Sequence, residues 1–142
     1  MSQENVETIR HAFEAYNRGD PSVFLDLYDP DIVLRVSMVA TVESGTYHGA
    51  EAVEHFYRRF FATFGKSYRV TLIELIDAGD SVVAIHDARA RGRQSGAEVE
   101  RRSIAVIITM RGGKIIRIDH PSDVDEALEA VGLSPQDAHA DS

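Results

Sequence analysis

Apolar side chains recur along the chain with two different periods, and the change from one to the other separates an N-terminal helical part from a C-terminal sheet part. Val6, Ile9, Phe13 and Tyr16 fall every three or four residues, which gives a helix one apolar face. Ser2 stands where its N-cap is needed and Gly19 just past its end. Asp20-Pro21 predicts a second, short helix, since Asp accepts hydrogen bonds at an N-cap and Pro is tolerated at the first helical position. Val23, Phe24 and Leu27 form its apolar side, and Asp29-Pro30 ends it. A short strand through Ile32–Val36 follows, then an irregular stretch closing on Gly45–Gly49. From Ala50 to Phe64 the helical period returns at Val53, Phe56, Phe60 and Phe64, and Gly65 stops it.

Beyond that glycine the runs Tyr68–Asp77, Val82–Arg91, Ala97–Met110 and Lys114–His120 are rich in β-branched residues. Ala78-Gly79-Asp80, the Gly92–Gly96 segment and Arg111-Gly112-Gly113 separate them, so the prediction is an antiparallel meander. Ser122 caps a last helix whose Asp123, Asp125 and Glu126 complement its dipole, and Gly132 and Pro135 mark its end. The expected organisation is one α+β domain over residues 1–133 and a polar, frayed tail over 134–142.

Composition narrows the classes of function. A chain of 142 residues with 44% hydrophobic content suits a single core. No run of about 18 apolar residues is present and the start lacks an export signal, so a cytoplasmic, membrane-free protein is expected. The absence of cysteine removes disulfides and thiolate chemistry. A formal charge of −8 opposes binding to nucleic acid and anionic lipid. Arg89–Arg93 and Arg101-Arg102 are the local exceptions, and both fall on a predicted hairpin arm. His48, His86 and His120 match no compact metal signature, and neither a metal nor another cofactor is expected. No phosphate loop, Gly-x-Gly-x-x-Gly or Gly-x-Ser-x-Gly occurs.

Several segments carry a family resemblance: Tyr16–Asp20, Tyr28–Asp31, Gly45–Ala52, Arg111–Ile118 and Asp125–Leu133. In this order they resemble the recurrent signatures of SnoaL-like proteins of the nuclear transport factor 2-like cone type. The resemblance implies helices packed in a curved sheet around a small-molecule pocket, and a homodimer. It extends to ketosteroid isomerases, limonene epoxide hydrolase-like enzymes and polyketide cyclases. By register, the isomerase's Tyr and two Asp positions fall at Ala12, Val36 and Ala105, none of which can donate or shuttle a proton. The epoxide hydrolase's Arg and two Asp positions fall at His86, Ala88 and His120. Neither usual catalytic set is present.

The residues that remain define the expected site. On straight strands His86 shares a face with Ala88 and Ala90, and His120 with Ile116 and Ile118. The two imidazoles are candidates for an acid–base pair facing one cone, or else hydrogen-bonded structural histidines. Tyr16 and Tyr57 either supply phenol groups to the pocket or pack the core. Arg101, read on the face of Ser103 and Ala105, either fixes a carboxylate or enolate or pairs with Glu98, Glu100 or Asp87. Phe13, Val36, Met38, Phe56 and Phe60 are expected as core residues that also line the pocket. Val83, Ile85, Ile104, Val106 and Ile108 are assigned to the opposite sheet face and predict association there. Two functions follow: an isomerase, cyclase or hydrolase acting on an apolar or polyketide-like compound, or a non-catalytic binding or dimerisation module.

Overall fold

The computed structural model describes residues 2–37, 45–64, 67–91 and 96–134. Residues 1, 38–44 (Met38 among them), 65–66 (with Gly65), 92–95 (with Gly92) and 135–142, with the side chains of Ser2, Phe61, Thr63 and Phe64, lie outside what is described. The elements in order are α1 (Ser2–Asn17), α2 (Ser22–Leu27), β1 (Tyr28–Val36), β2 (Gly45–His48), α3 (Ala50–Phe64), β3 (Arg69–Ala78), β4 (Ser81–Arg91), β5 (Glu98–Arg111), β6 (Lys114–His120) and α4 (Val124–Ala130). One six-stranded sheet carries the order β2-β1-β6-β5-β4-β3. Its β3–β6 part is the predicted antiparallel meander, and β1 joins β6 in parallel.

Local chemistry explains most boundaries and corrects some. Asn17 ties the end of α1 to β3, its side chain donating to the Val70 carbonyl at 2.6 Å and accepting from the Val70 amide at 3.2 Å. Asp20 accepts from the Ser22 amide at 3.1 Å, the bond two residues on that an N-cap carboxylate makes, and Pro21 between them is already helical at φ −75° and ψ −9°. The chain is already extended at Tyr28, four residues before the predicted strand, and the segment read as irregular at 45–48 is the edge strand β2. Gly112 and Gly113 both have positive φ, 57° and 78°, as a two-residue hairpin turn between β5 and β6 requires. The cap of α4 is Asp123, whose Oδ1 accepts from the Glu126 amide at 2.8 Å; Ser122 instead donates its own amide to Glu126 Oε2 at 2.9 Å.

Two apolar clusters lie on opposite faces of the sheet. The larger joins Ile9 and Phe13 of α1, Val53 and Phe56 of α3, and the inward residues Leu34, Val36, Val82, Ala84, Val106, Ile108, Ile115 and Ile118. The smaller packs Ala127 and Leu128 of α4 over Val83, Ile85, Ala105 and Ile107.

Within the β3–β6 meander three β-bulges decide which side chain faces which cluster. On β5, Ile104 faces His86 while Arg101 faces Ala88, so β5 carries one residue more than β4. On β6, Ile115 and Arg117 face Met110 and Thr109, leaving Ile116 as the extra residue. On β3, Ile73 is the extra residue between Leu72 and Glu74, and it is 56% exposed. Each inserted residue reverses the in–out alternation beyond it. Ile104, Val106 and Ile108 therefore point into the cone and not to the outer face, while Ala105 belongs to the outer cluster. Ile115 replaces Ile116 as the inward residue of β6.

Candidate functional site

Between the helices and the inner face of the sheet lies a cavity of about 520 Å³, within the range of small-molecule sites. Its walls come from α1 (Phe13, Tyr16), α2 (Phe24), α3 (Phe56, Tyr57, Phe60) and the inward residues of β1, β4, β5 and β6. Aromatic edges set the helix side: Phe13 meets Phe24 with ring centroids 5.2 Å apart at 86°, and Phe60 meets Tyr68 at 5.5 Å and 78°. Such T-shaped contacts place the positive edge of one ring on the negative face of the next.

The polar groups are few and spread over the sheet. His86 is buried on β4, its ring 5.9 Å from that of Phe13 and its Nδ1 3.4 Å from the Asp87 carbonyl. Burial lowers its pKa, the hydrogen bond to the Asp87 carbonyl and the Asp87 charge oppose this in part, and the charge of Arg101 adds the smallest contribution, a lowering one. His120 ends β6, two strands away across β5. Its Nε2 and the Tyr57 hydroxyl are hydrogen-bonded at 2.7 Å across 63 residues of sequence. Burial pushes the His120 imidazole down to about 4, His86 contributes in the same direction and Asp119 opposes it. The Tyr57 phenol is held well above its ordinary value by the same loss of water. At neutral pH the site thus presents two neutral imidazoles and un-ionised phenols.

Of the sequence-derived candidates, His86, His120, Tyr16, Tyr57, Arg101, Phe13, Val36, Phe56, Phe60 and Ile118 all border this cavity. Ile116 does not, because of the β6 bulge, and Met38 lies outside the described residues. His48 is exposed on the edge strand β2 and does not border the cavity. Arg101 forms no ion pair among the described residues; Glu98 and Glu100 take Arg89, and Glu100 also takes Arg102 at 3.0 Å. Sequence reading passed over Tyr28, Tyr68, Ile104, Val106 and Ile108 as cavity residues, the last three because the bulge was invisible in the alternation. The Tyr57–His120 pairing left no local signal at all. Two carboxylates border the cavity among the described residues, and both are engaged, Glu54 with Arg58 at 2.6 Å and Asp123 as the α4 cap. No three His, Asp or Glu side chains converge as metal ligands among the described residues.

A curved sheet closed by helices over an apolar, histidine-bearing cavity defines a nuclear transport factor 2-like cone. The chain belongs to the SnoaL-like domain family, whose model matches residues 9–118. No curated protein matches it. Solved structures give the same fold: a putative SnoaL-like polyketide cyclase from Jannaschia sp. CCS1 is 18% identical at TM-score 0.70, over 94% of this chain and 95% of the other. A nuclear transport factor 2-like protein of unknown function from Burkholderia pseudomallei is 22% identical at TM-score 0.70, over 91% and 98%. TerC, co-crystallised with polyporic acid, is 22% identical at TM-score 0.69, over 89% and 97%. No described helix is long and apolar enough to cross a membrane.

Proposed function

We propose that the chain binds a small compound with a large apolar part inside the cone and acts on it as a cofactor-independent isomerase, cyclase or hydrolase. One observation carries this reading: a cavity walled by aromatic and aliphatic side chains is bordered by an imidazole on each of two strands, His86 buried and His120 half-buried and already bonded to a phenol. Burying apolar ligand surface there is favourable by roughly 25 cal/mol per Å² before the costs of association. The few polar groups suit one or two ligand oxygens, and not the many hydroxyls of a sugar or the phosphates of a nucleotide.

In this reading Tyr57 and His120 hold a ligand carbonyl or hydroxyl by hydrogen bonds, and neutral His86 accepts a proton from an activated carbon or from water. A structural neighbour co-crystallised with polyporic acid is in keeping with a small-molecule occupant. The engaged state of Glu54 and Asp123 favours a second reading, a binding module without chemistry, because no unengaged carboxylate borders the cavity among the described residues to serve as a general base beside the histidines. The same proposal includes a cytoplasmic homodimer.

A thermal-shift panel of aromatic, terpenoid, steroid, nucleotide and sugar compounds tests the ligand class, repeated with His86→Ala and His120→Ala. Apolar compounds are expected to stabilise the protein, and each substitution to weaken them. Stabilisation by nucleotides or sugars alone would overturn the reading. Apolar ligands that bind equally well to both variants, and are recovered chemically unchanged, would leave the module.

A further inference from the structure

Simple alternation along β5 would send Arg101 and Ile104 to opposite sides of the sheet, since they are three residues apart. The bulge puts them on the same side: Ile104 faces inward-pointing His86 and Arg101 faces buried Ala88. The irregularity is built in. Ser103 takes a φ of 54°, the left-handed region that L side chains resist, and Asp87 on β4 accepts the Ser103 amide at 2.9 Å. Bulges of this kind commonly re-aim a side chain beside a functional site.

Three arginines border the cavity among the described residues. Arg58 is neutralised by Glu54 at 2.6 Å and Arg102 by Glu100 at 3.0 Å. Arg101 pairs with neither, although its strand neighbour Glu100 is close in sequence. Its charge acts instead on Tyr68 and His86, two groups of the cavity wall. The other polar groups on the wall include neutral imidazoles and phenols, and among the described residues no cation besides these three arginines borders the cavity.

Resting on the apolar-cavity reading, we infer that Arg101 is a specificity-determining residue that receives the carboxylate of an apolar monoanion at the cavity mouth. The planar guanidinium offers two parallel N–H donors that match a carboxylate's two oxygens. The remainder of the ligand extends inward toward Tyr57 and His120. A second negative charge deeper in the cone would meet no cation, so the site selects against dianions.

Calorimetric titration with naphthalene-2-carboxylate and its neutral isostere naphthalene-2-carboxamide separates the charge from the shape. The wild-type protein is expected to prefer the carboxylate by about tenfold, and added salt to reduce that preference because Arg101 is exposed. Arg101→Gln is expected to bring the preference to near unity, with the carboxamide still bound and an unchanged circular dichroism spectrum reporting that the variant is folded. Arg101→Glu should invert it. Equal binding of both probes to the wild type, a preference that survives Arg101→Gln, or one indifferent to salt would each overturn the assignment of Arg101 alone. Failure of both probes to bind the wild type would overturn the apolar-cavity reading itself.

Discussion

His120 combines two conditions that pull against its ordinary chemistry: its half-buried ring has lost much of its contact with water, and its Nε2 is committed to Tyr57 at 2.7 Å. A lowered folded-state pKa means that the unfolded chain binds the proton more readily, so stability falls as pH drops. The window runs from 6.5, where the unfolded imidazole titrates, down to about 4, below which the loss is complete. The shift corresponds to about 3 kcal/mol. His86, lowered for the same principal reason, adds to the slope. His120→Gln keeps a group able to bond Tyr57 but removes the titration. Thermal midpoints measured across this window should therefore fall less steeply in His120→Gln than in the wild type. Parallel profiles would mean that His120 is solvated in the folded protein.

At the level of elements, the helices and the meander were legible because their signals are local and repetitive: Val6, Ile9 and Phe13 on α1, paired glycines between β5 and β6. Face assignments on the strands were legible only up to the first bulge. A bulge is a relation between two strands, and nothing in Arg101-Arg102-Ser103 announces that Asp87 will hold an extra residue there. Both histidines were placed on the cavity face because β4 carries no extra residue and His120 keeps step with inward Ile118, whereas Ile116 and the Ile104–Ile108 set were misplaced. Ser103 also gives a direct measure of the device. Ser103→Gly removes the cost of a left-handed L residue, and denaturant unfolding should show a gain of about 0.5–1 kcal/mol. Ser103→Val should lose at least about 1 kcal/mol, since a β-branched side chain tolerates this φ poorly. If neither substitution changes stability, the bulge is not held in this conformation in solution.

Over the whole molecule, the apolar outer face that predicted association turns out to be used within the chain. Val83 and Ile85 are 0% and 5% exposed because Ala127 and Leu128 of α4 cover them, together with Ala105 and Ile107. Beside that patch the outer surface is polar, a concavity of about 380 Å³ bordered by Arg35, Ser81, Thr109, Arg117 and Asp119. The large exposed apolar residues among those described, Leu25, Ile73 and Val99, belong to different elements and do not supply the roughly 800 Å² per partner of a stable dry interface. The proposed homodimer, formed on this face, joins charged and hydroxyl groups and draws on electrostatic complementarity more than on the hydrophobic effect. Light scattering should give a two-chain mass at low ionic strength that moves toward one chain as salt is added. Arg35→Glu should shift the mass the same way at low salt. A one-chain mass at every salt concentration would refute the dimer, and a two-chain mass indifferent to both salt and Arg35→Glu would move the interface away from this surface.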